Sequence, residues 1–268
     1  MLIPDTLRQE HMPMMAYALC RAVKANDYTE DELIKDLSAT NIAKDEKSRE
    51  QAGKVLNFCR SAGFVTVKNE RVTSGFSEDE LVSPKAFAFA LLRKIDIEKS
   101  EKYKEVLKWF LWKGPDVEAI DNHKDVRKEM LEDSRLKQLN ITEDYTHGFL
   151  FWTEFLGIAT HSIGSMGAYN YSIENILIEY IRKNRDLLRS RGNIPMQEFL
   201  EILSKDLFFV TMCYEKTEIC YSLSFALRVI EKLDVVDLED KNDGSMTWHL
   251  EKSNSFKVGN SFTNIKVR

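Results

Sequence analysis

Proline and glycine are scarce, five and 11 among 268 residues, too few for a Pro/Gly-rich disordered linker. Long apolar runs are missing too. The longest, "AFAFALL" (86–92) and "LFFVTMCY" (207–214), fall far short of the ~18 residues that cross a bilayer. The opening "MLIPDTLRQEH" has neither the basic start nor the apolar stretch of a signal peptide. The expectation is a cytoplasmic protein with no membrane contact.

Metal and thiol chemistry have little to build on. Cys20, Cys59, Cys213 and Cys220 make no CxxC pair and no zinc spacing, and the five histidines are scattered. Cys20 and Cys59 fall on apolar helix faces, so free buried thiols are expected. Nucleotide and hydrolase fingerprints are absent: no P-loop, GxSxG, HExxH or dinucleotide motif. "SIGSMGAYN" (162–170) holds glycines, but it follows a helix pattern and reads as a turn. "DNHKDVRKE" (121–129) lacks a second acidic cluster, and a helix cap explains its aspartates. The sequence therefore points away from an enzyme, and to no cofactor and no metal.

A surplus of positive charge is also lacking. Net charge is −5, with 11 basic and 11 acidic residues in 1–76, 13 against 17 in 77–172, and 14 against 15 in 173–268. That speaks against a purely electrostatic nucleic-acid binder, though not against a local patch. With 43% apolar and 30% charged residues, the chain is ordinary globular material.

What is present is a recurring layout. "PMMAYALCRAVKAN" opens on Pro13 and sets Met15, Leu19, Ala22 and Val23 on one helix face. In "YTEDELIKDLSA", Thr29 and Glu32 form a capping box, and Leu33, Ile34 and Leu37 point inward. Ser48 and Gln51 repeat that signature ahead of a third helix with the stripe Ala52, Val55, Leu56, Cys59 and Ala62. Gly63 suits a left-handed exit, and "FVTVKNERVTS" is a hairpin turning at "KNE". Residues 142–171 run from a helix through Gly157 into a second apparent hairpin. Residues 222–250 do so a third time, with Asp234 at the exit and "EDKNDGS" as the turn. Leu56, Leu150 and Leu227 each stand seven residues before the terminator. The C-terminal "SNSFKVGNSFTNIKVR" either adds a strand or frays.

The expected fold is mainly α with small β-hairpins: tandem winged-helix units around a helical middle segment. The expected segments are 1–76, an N-terminal winged helix, 77–172, a helical middle with a degenerate unit, and 173–268, a C-terminal winged helix. A helix that reads DNA needs a donor-rich face with cations nearby. In the first segment Asn57 and Arg60 suit base edges, and Lys54, Lys68 and Arg71 suit phosphates; Glu50 and Glu70 oppose them. In the third, Leu223, Leu227, Ile230 and Leu233 are expected inside, with Phe225, Arg228 and Lys232 outward, an aromatic between two cations that suits a base or a protein partner. "GFLFWTEFLG" is apolar nearly all round, so Phe151 and Phe155, with Phe225, are candidates for a partner or homodimer interface.

"LNFCRSAGFVTVKNERVT" resembles the winged-helix superfamily. The whole layout, with "FLFWTEFLGIAT" ahead of its middle hairpin, is similar to the winged-helix accessory proteins encoded beside bacterial anti-phage defence and DNA-modification systems. "GAYNY" stands outside that likeness. The resemblance implies a non-enzymatic subunit beside helicases, nucleases or modification enzymes, and it assigns no active-site residue. Two functions follow: a DNA-engaging subunit or regulator, or an adaptor whose winged helices hold protein subunits without touching DNA.

Overall fold

In the computed structural model, the described residues are 1–8, 11–38, 46–113, 123–161, 169–171, 173–241, 246–251 and 261–268. They are mainly helical, with small sheets of two to four strands. Along the chain come α1 (Pro13–Ala25), α2 (Glu30–Ser38), α3 (Glu46–Ser61), β1 (Val65–Lys68), β2 (Arg71–Ser74) and α4 (Pro84–Lys94). Then follow α5 (Glu101–Trp112), α6 (His123–Glu132), α7 (Glu143–Phe155), β3 (Ala159–His161) and β4 (Tyr169–Tyr171). The remainder is α8 (Ile173–Lys183), α9 (Arg185–Ser190), β5 (Asn193–Pro195), α10 (Met196–Ser204), β6 (Tyr214–Glu215), β7 (Glu218–Ile219) and α11 (Tyr221–Lys232). It ends with β8 (Val236–Glu239), β9 (Trp248–Leu250), β10 (Ser261–Phe262) and β11 (Asn264–Val267). No helix among the described residues is long and apolar enough to cross a membrane.

The chain divides into two compact units, Met1–Tyr103 with Arg127–Leu156, and Lys104–Val126 with Gly157–Arg268. Helices of the expected middle segment are thus shared between the units, because α7 carries its large side chains into the first.

In the first unit the capping box forms. The Thr29 amide donates to Glu32 Oε2 at 2.8 Å, and the Glu32 amide donates to Thr29 Oγ1 at 3.3 Å. The expected second box does not cap α3, since that helix has already begun at Glu46, ahead of Ser48. The α3 stripe, Ala52, Val55, Leu56, Cys59 and Ala62, is buried against α1 and α2. Gly63 leaves the helix at φ 71°. β1 and β2 pair antiparallel around Asn69 and Glu70, both at positive φ, the backbone of a tight hairpin turn. A bridge from Thr29 to Arg71, with the Val72 amide donating to Tyr28 O at 2.9 Å, adds the segment before α2 beside β2.

Three features fix the N-terminal segment next to α3. The Leu2 amide donates to Ala62 O at 3.0 Å, and the Ile3 amide donates to the buried Ser100 Oγ at 2.9 Å. Gly148 of α7 admits the Arg8 backbone so closely that a Cβ there would stand 2.9 Å from Arg8 O. Thr142 caps α7, and Trp152, fully buried, packs on Phe58 and Phe64 while its indole N–H donates to His11 O at 2.8 Å. Tyr145, Phe149, Leu150 and Trp152 of α7 are core.

Five elements of the second unit come in an order also found in the first, with β6 and β7 inserted between α10 and α11 and β9 and β10 between β8 and β11. Where the first has residue 29, α2, α3, β1 and β2, the second has β5, α10, α11, β8 and β11. The sheet order corresponds too. β11 lies between β5 and β8, all antiparallel, as β2 lies between residue 29 and β1. The expected hairpin over 222–250 returns directly after the "EDKNDGS" turn. Instead β8 pairs with β11, at the end of the chain, and β9 joins β7 and β10 in a separate four-stranded sheet. Arg268 closes the pairing through Asp237 and Asp234. Asp234 takes φ 56° in place of glycine, while Gly157 sits at φ 76° before the β3–β4 hairpin. The segment 162–168, which holds most of "SIGSMGAYN", lies outside the described residues, as do Asp121 and Asn122.

All four cysteines are buried and free, and they meet in pairs: Cys20 with Cys59, and Cys213 with Cys220. Burial, then the neighbouring thiol, pushes Cys59 and Cys213 well above the ordinary thiol range.

Candidate nucleic-acid interface

Since Ala52, Val55, Leu56, Cys59 and Ala62 face the core, α3 turns Glu50, Asn57, Arg60 and Ser61 to solvent. Gly53 lies on the same side with open space around it. Lys68 and Arg71 face each other across the hairpin turn, both exposed. Of the five candidate residues of the first segment, Asn57, Arg60, Lys68 and Arg71 are exposed and Lys54 is half-buried.

Carboxylates stand among these cations. Glu30, in the first turn of α2, lies 2.5 Å from Arg60, and Glu50 lies 3.1 Å from Lys54. Arg71 is 3.6 Å from both Asp27 and Glu32, and it also donates to Asp27 O at 3.1 Å. The two Thr29 hydrogen bonds, and then Arg71, hold the Glu32 carboxyl below its ordinary range. Lys68 makes no ion pair among the described residues. Exposed pairs of this kind are each worth only ~0–1 kcal/mol, so a phosphate can displace them.

The other flank of α3 differs. There Lys54, Asn57 and Ser61 meet the N-terminal segment across an open cleft of about 310 Å³ that also takes in Arg8 and His11. No carboxylate is among the described residues that line it. Its floor is Phe58, covered by the His11 ring at 4.7 Å. The Arg8 amide donates to His11 Nδ1 at 3.2 Å, which orients the imidazole. Sequence reasoning missed Arg8 and His11, because nothing local marks a segment that joins α3 from some fifty residues away in the chain.

The third-segment candidates do not assemble in the same way. α11 is enclosed by α8 and β8, and the Glu251 amide reaches Ser224 Oγ at 2.9 Å. Arg228, expected outward, is therefore buried, 2% exposed, among Glu251, Glu231 and Tyr221. Burial lowers its proton affinity, opposed by those two carboxylates. Lys232 is exposed, and Leu233, expected inside, is 57% exposed because the helix ends there. Phe225 is half-buried, stacked on Tyr221 at 6.5 Å. In the first unit Phe151 stays exposed, while Phe155 is half-buried between Phe87 and Trp152.

Among the described residues no group of three or more His, Cys, Asp or Glu side chains is placed to hold a metal ion. No protein-family model, curated protein or solved structure matches the chain.

Proposed function

We propose that the chain is a non-enzymatic tandem winged-helix protein that engages DNA through α3 of its first unit, as a subunit or regulator of a bacterial defence or DNA-processing complex. The strand order shared by the two units supports the winged-helix reading. The observation that carries the DNA reading is the donor-rich flank of α3, where Arg8, Lys54, Asn57 and Ser61 gather and no carboxylate is among the described residues that line the cleft. In this reading Asn57 and Arg60 meet base edges, and Arg8, Lys54, Lys68 and Arg71 meet phosphates. Arg228 drops out of the contact set, since it is buried. Lys232 remains exposed, but without Arg228 beside it.

The carboxylates at Asp27, Glu30, Glu32 and Glu50 favour a second reading, an adaptor whose mixed-charge face holds a protein subunit. Exposed Phe151, with half-buried Phe155, would anchor that subunit on the first unit, and half-buried Phe225 offers a separate contact on the second. Charge reversal separates the two. Arg8→Glu and Lys54→Glu abolish duplex binding if α3 engages DNA, and duplex affinity that does not change with them removes the first reading.

A further inference from the structure

A second pocket lies wholly within the other unit, also of about 310 Å³, near the lower end of the ~300–1,000 Å³ typical of small-ligand sites. α10 lines it with Gln197, Leu200 and Glu201, which the helical repeat places on one face. Tyr214 of β6 forms a half-exposed wall. Trp248 of β9, 2% exposed, braces that ring edge-on at 5.7 Å and 79°. Gln197 Nε2 donates to Glu201 Oε1 at 3.1 Å and so orients the carboxylate. Burial, then the charge of Glu201, raises the Tyr214 hydroxyl above its ordinary range. Lys216, at the β6–β7 turn with φ 53°, is exposed and makes no ion pair among the described residues.

This lining selects its ligand by exclusion. Glu201 accepts hydrogen bonds and repels anions, while Lys216 donates and repels cations. A simple cation meets Lys216 unfavourably, and a simple carboxylate meets Glu201 unfavourably. A flat ring with N–H donors on one edge and a separate anionic group uses every part: the ring on Tyr214, its donor edge at Glu201, the anion at Lys216. Among nucleobases, guanine offers two adjacent donors that match the two oxygens of a carboxylate. We propose that this pocket binds a guanine nucleotide, either free or at the end of a strand. The assignment does not rest on DNA binding by α3.

Calorimetric titration of the full chain with GMP, guanosine, AMP and UMP tests it. GMP should bind, with guanosine and AMP weaker by roughly tenfold or more, as expected for hydrogen bonds to charged groups. Glu201→Gln should erase the preference for guanine, and Lys216→Ala should erase the difference between GMP and guanosine. Both positions are exposed, so the variants keep the wild-type circular dichroism even if Tyr214→Ala does not fold. A short 5′-phosphorylated oligonucleotide beginning with dG separates the sources. Tighter binding than GMP, weakened by Glu201→Gln, assigns a strand end; binding equal to or weaker than that of GMP assigns the free nucleotide. No heat with any nucleotide at millimolar concentration, or GMP affinity unchanged in both variants, overturns the proposal.

Discussion

The Arg60 guanidinium lies 2.5 Å from the Glu30 carboxylate, so a residue proposed to read a base is held by the first turn of the neighbouring helix. Both side chains are about 40% exposed, at 42% and 38%. Water screens the pair, which is worth ~0.2–1 kcal/mol. Glu30→Gln removes the competitor without adding bulk. Duplex affinity at low salt should then rise by roughly 1.4- to fivefold, the equivalent of that energy. An affinity that falls would mean that Glu30 positions Arg60 rather than competing for it.

The N-terminal segment is the part of the site most sensitive to packing. Gly148→Ala places a methyl 2.9 Å from Arg8 O and 3.0 Å from Arg8 N, where backbone rather than a flexible side chain must give way. Overpacking of this kind costs about 1–3 kcal/mol. Urea denaturation should show that loss, and DNA affinity should fall with it as Arg8 is pushed from the cleft. Stability lost with DNA affinity intact would take Arg8 out of the interface.

Arg228 gives the opposite pattern. Buried at 2% exposure, it should be needed for stability and not for binding. Arg228→Ala should cost about 1–3 kcal/mol in urea denaturation, in the range of a disrupted buried polar cluster. Duplex affinity per folded molecule should not change. A drop in affinity at constant stability would return Arg228 to the contact set.

These expectations show where the sequence was legible. Thr29 and Glu32 lie three residues apart, so the capping box is written locally, and the α3 stripe and Gly63 are fixed by the same short-range geometry. The return strand was not legible that way. β8 finds its partner at Asn264–Val267, beyond two strands of another sheet, and the alternation of that segment is no stronger than that of Trp248–Leu250. Arg228 was misplaced for a related reason. One helix shows which residues share a face, but not that α8, β8 and the Ser224–Glu251 contact pack against it. The cleft combines α3 with a segment far off in the chain, so half of its lining carried no signal at all.

Acid should act through Glu32. Its folded carboxyl is held below the ordinary 4.5, first by the Thr29 amide and hydroxyl and then by Arg71. A depressed carboxylate contributes stability that is present above the unfolded value and lost as pH falls through the folded one. Wild type should therefore exceed Glu32→Gln in Tm at pH 7, and the gap should close as pH drops below 4.5. A gap independent of pH would place the contribution of Glu32 in packing rather than in charge.

Fluorescence anisotropy of a labelled mixed-sequence duplex, titrated with the chain across a salt series, tests the central claim most directly. Two to four phosphate contacts from Arg8, Lys54, Lys68 and Arg71 predict affinity falling with salt at a log–log slope of roughly −2 to −4. Lys54→Glu should flatten that slope. Absence of binding at low salt, or binding that neither salt nor Lys54→Glu alters, would contradict the account and leave the α3 face to a protein partner.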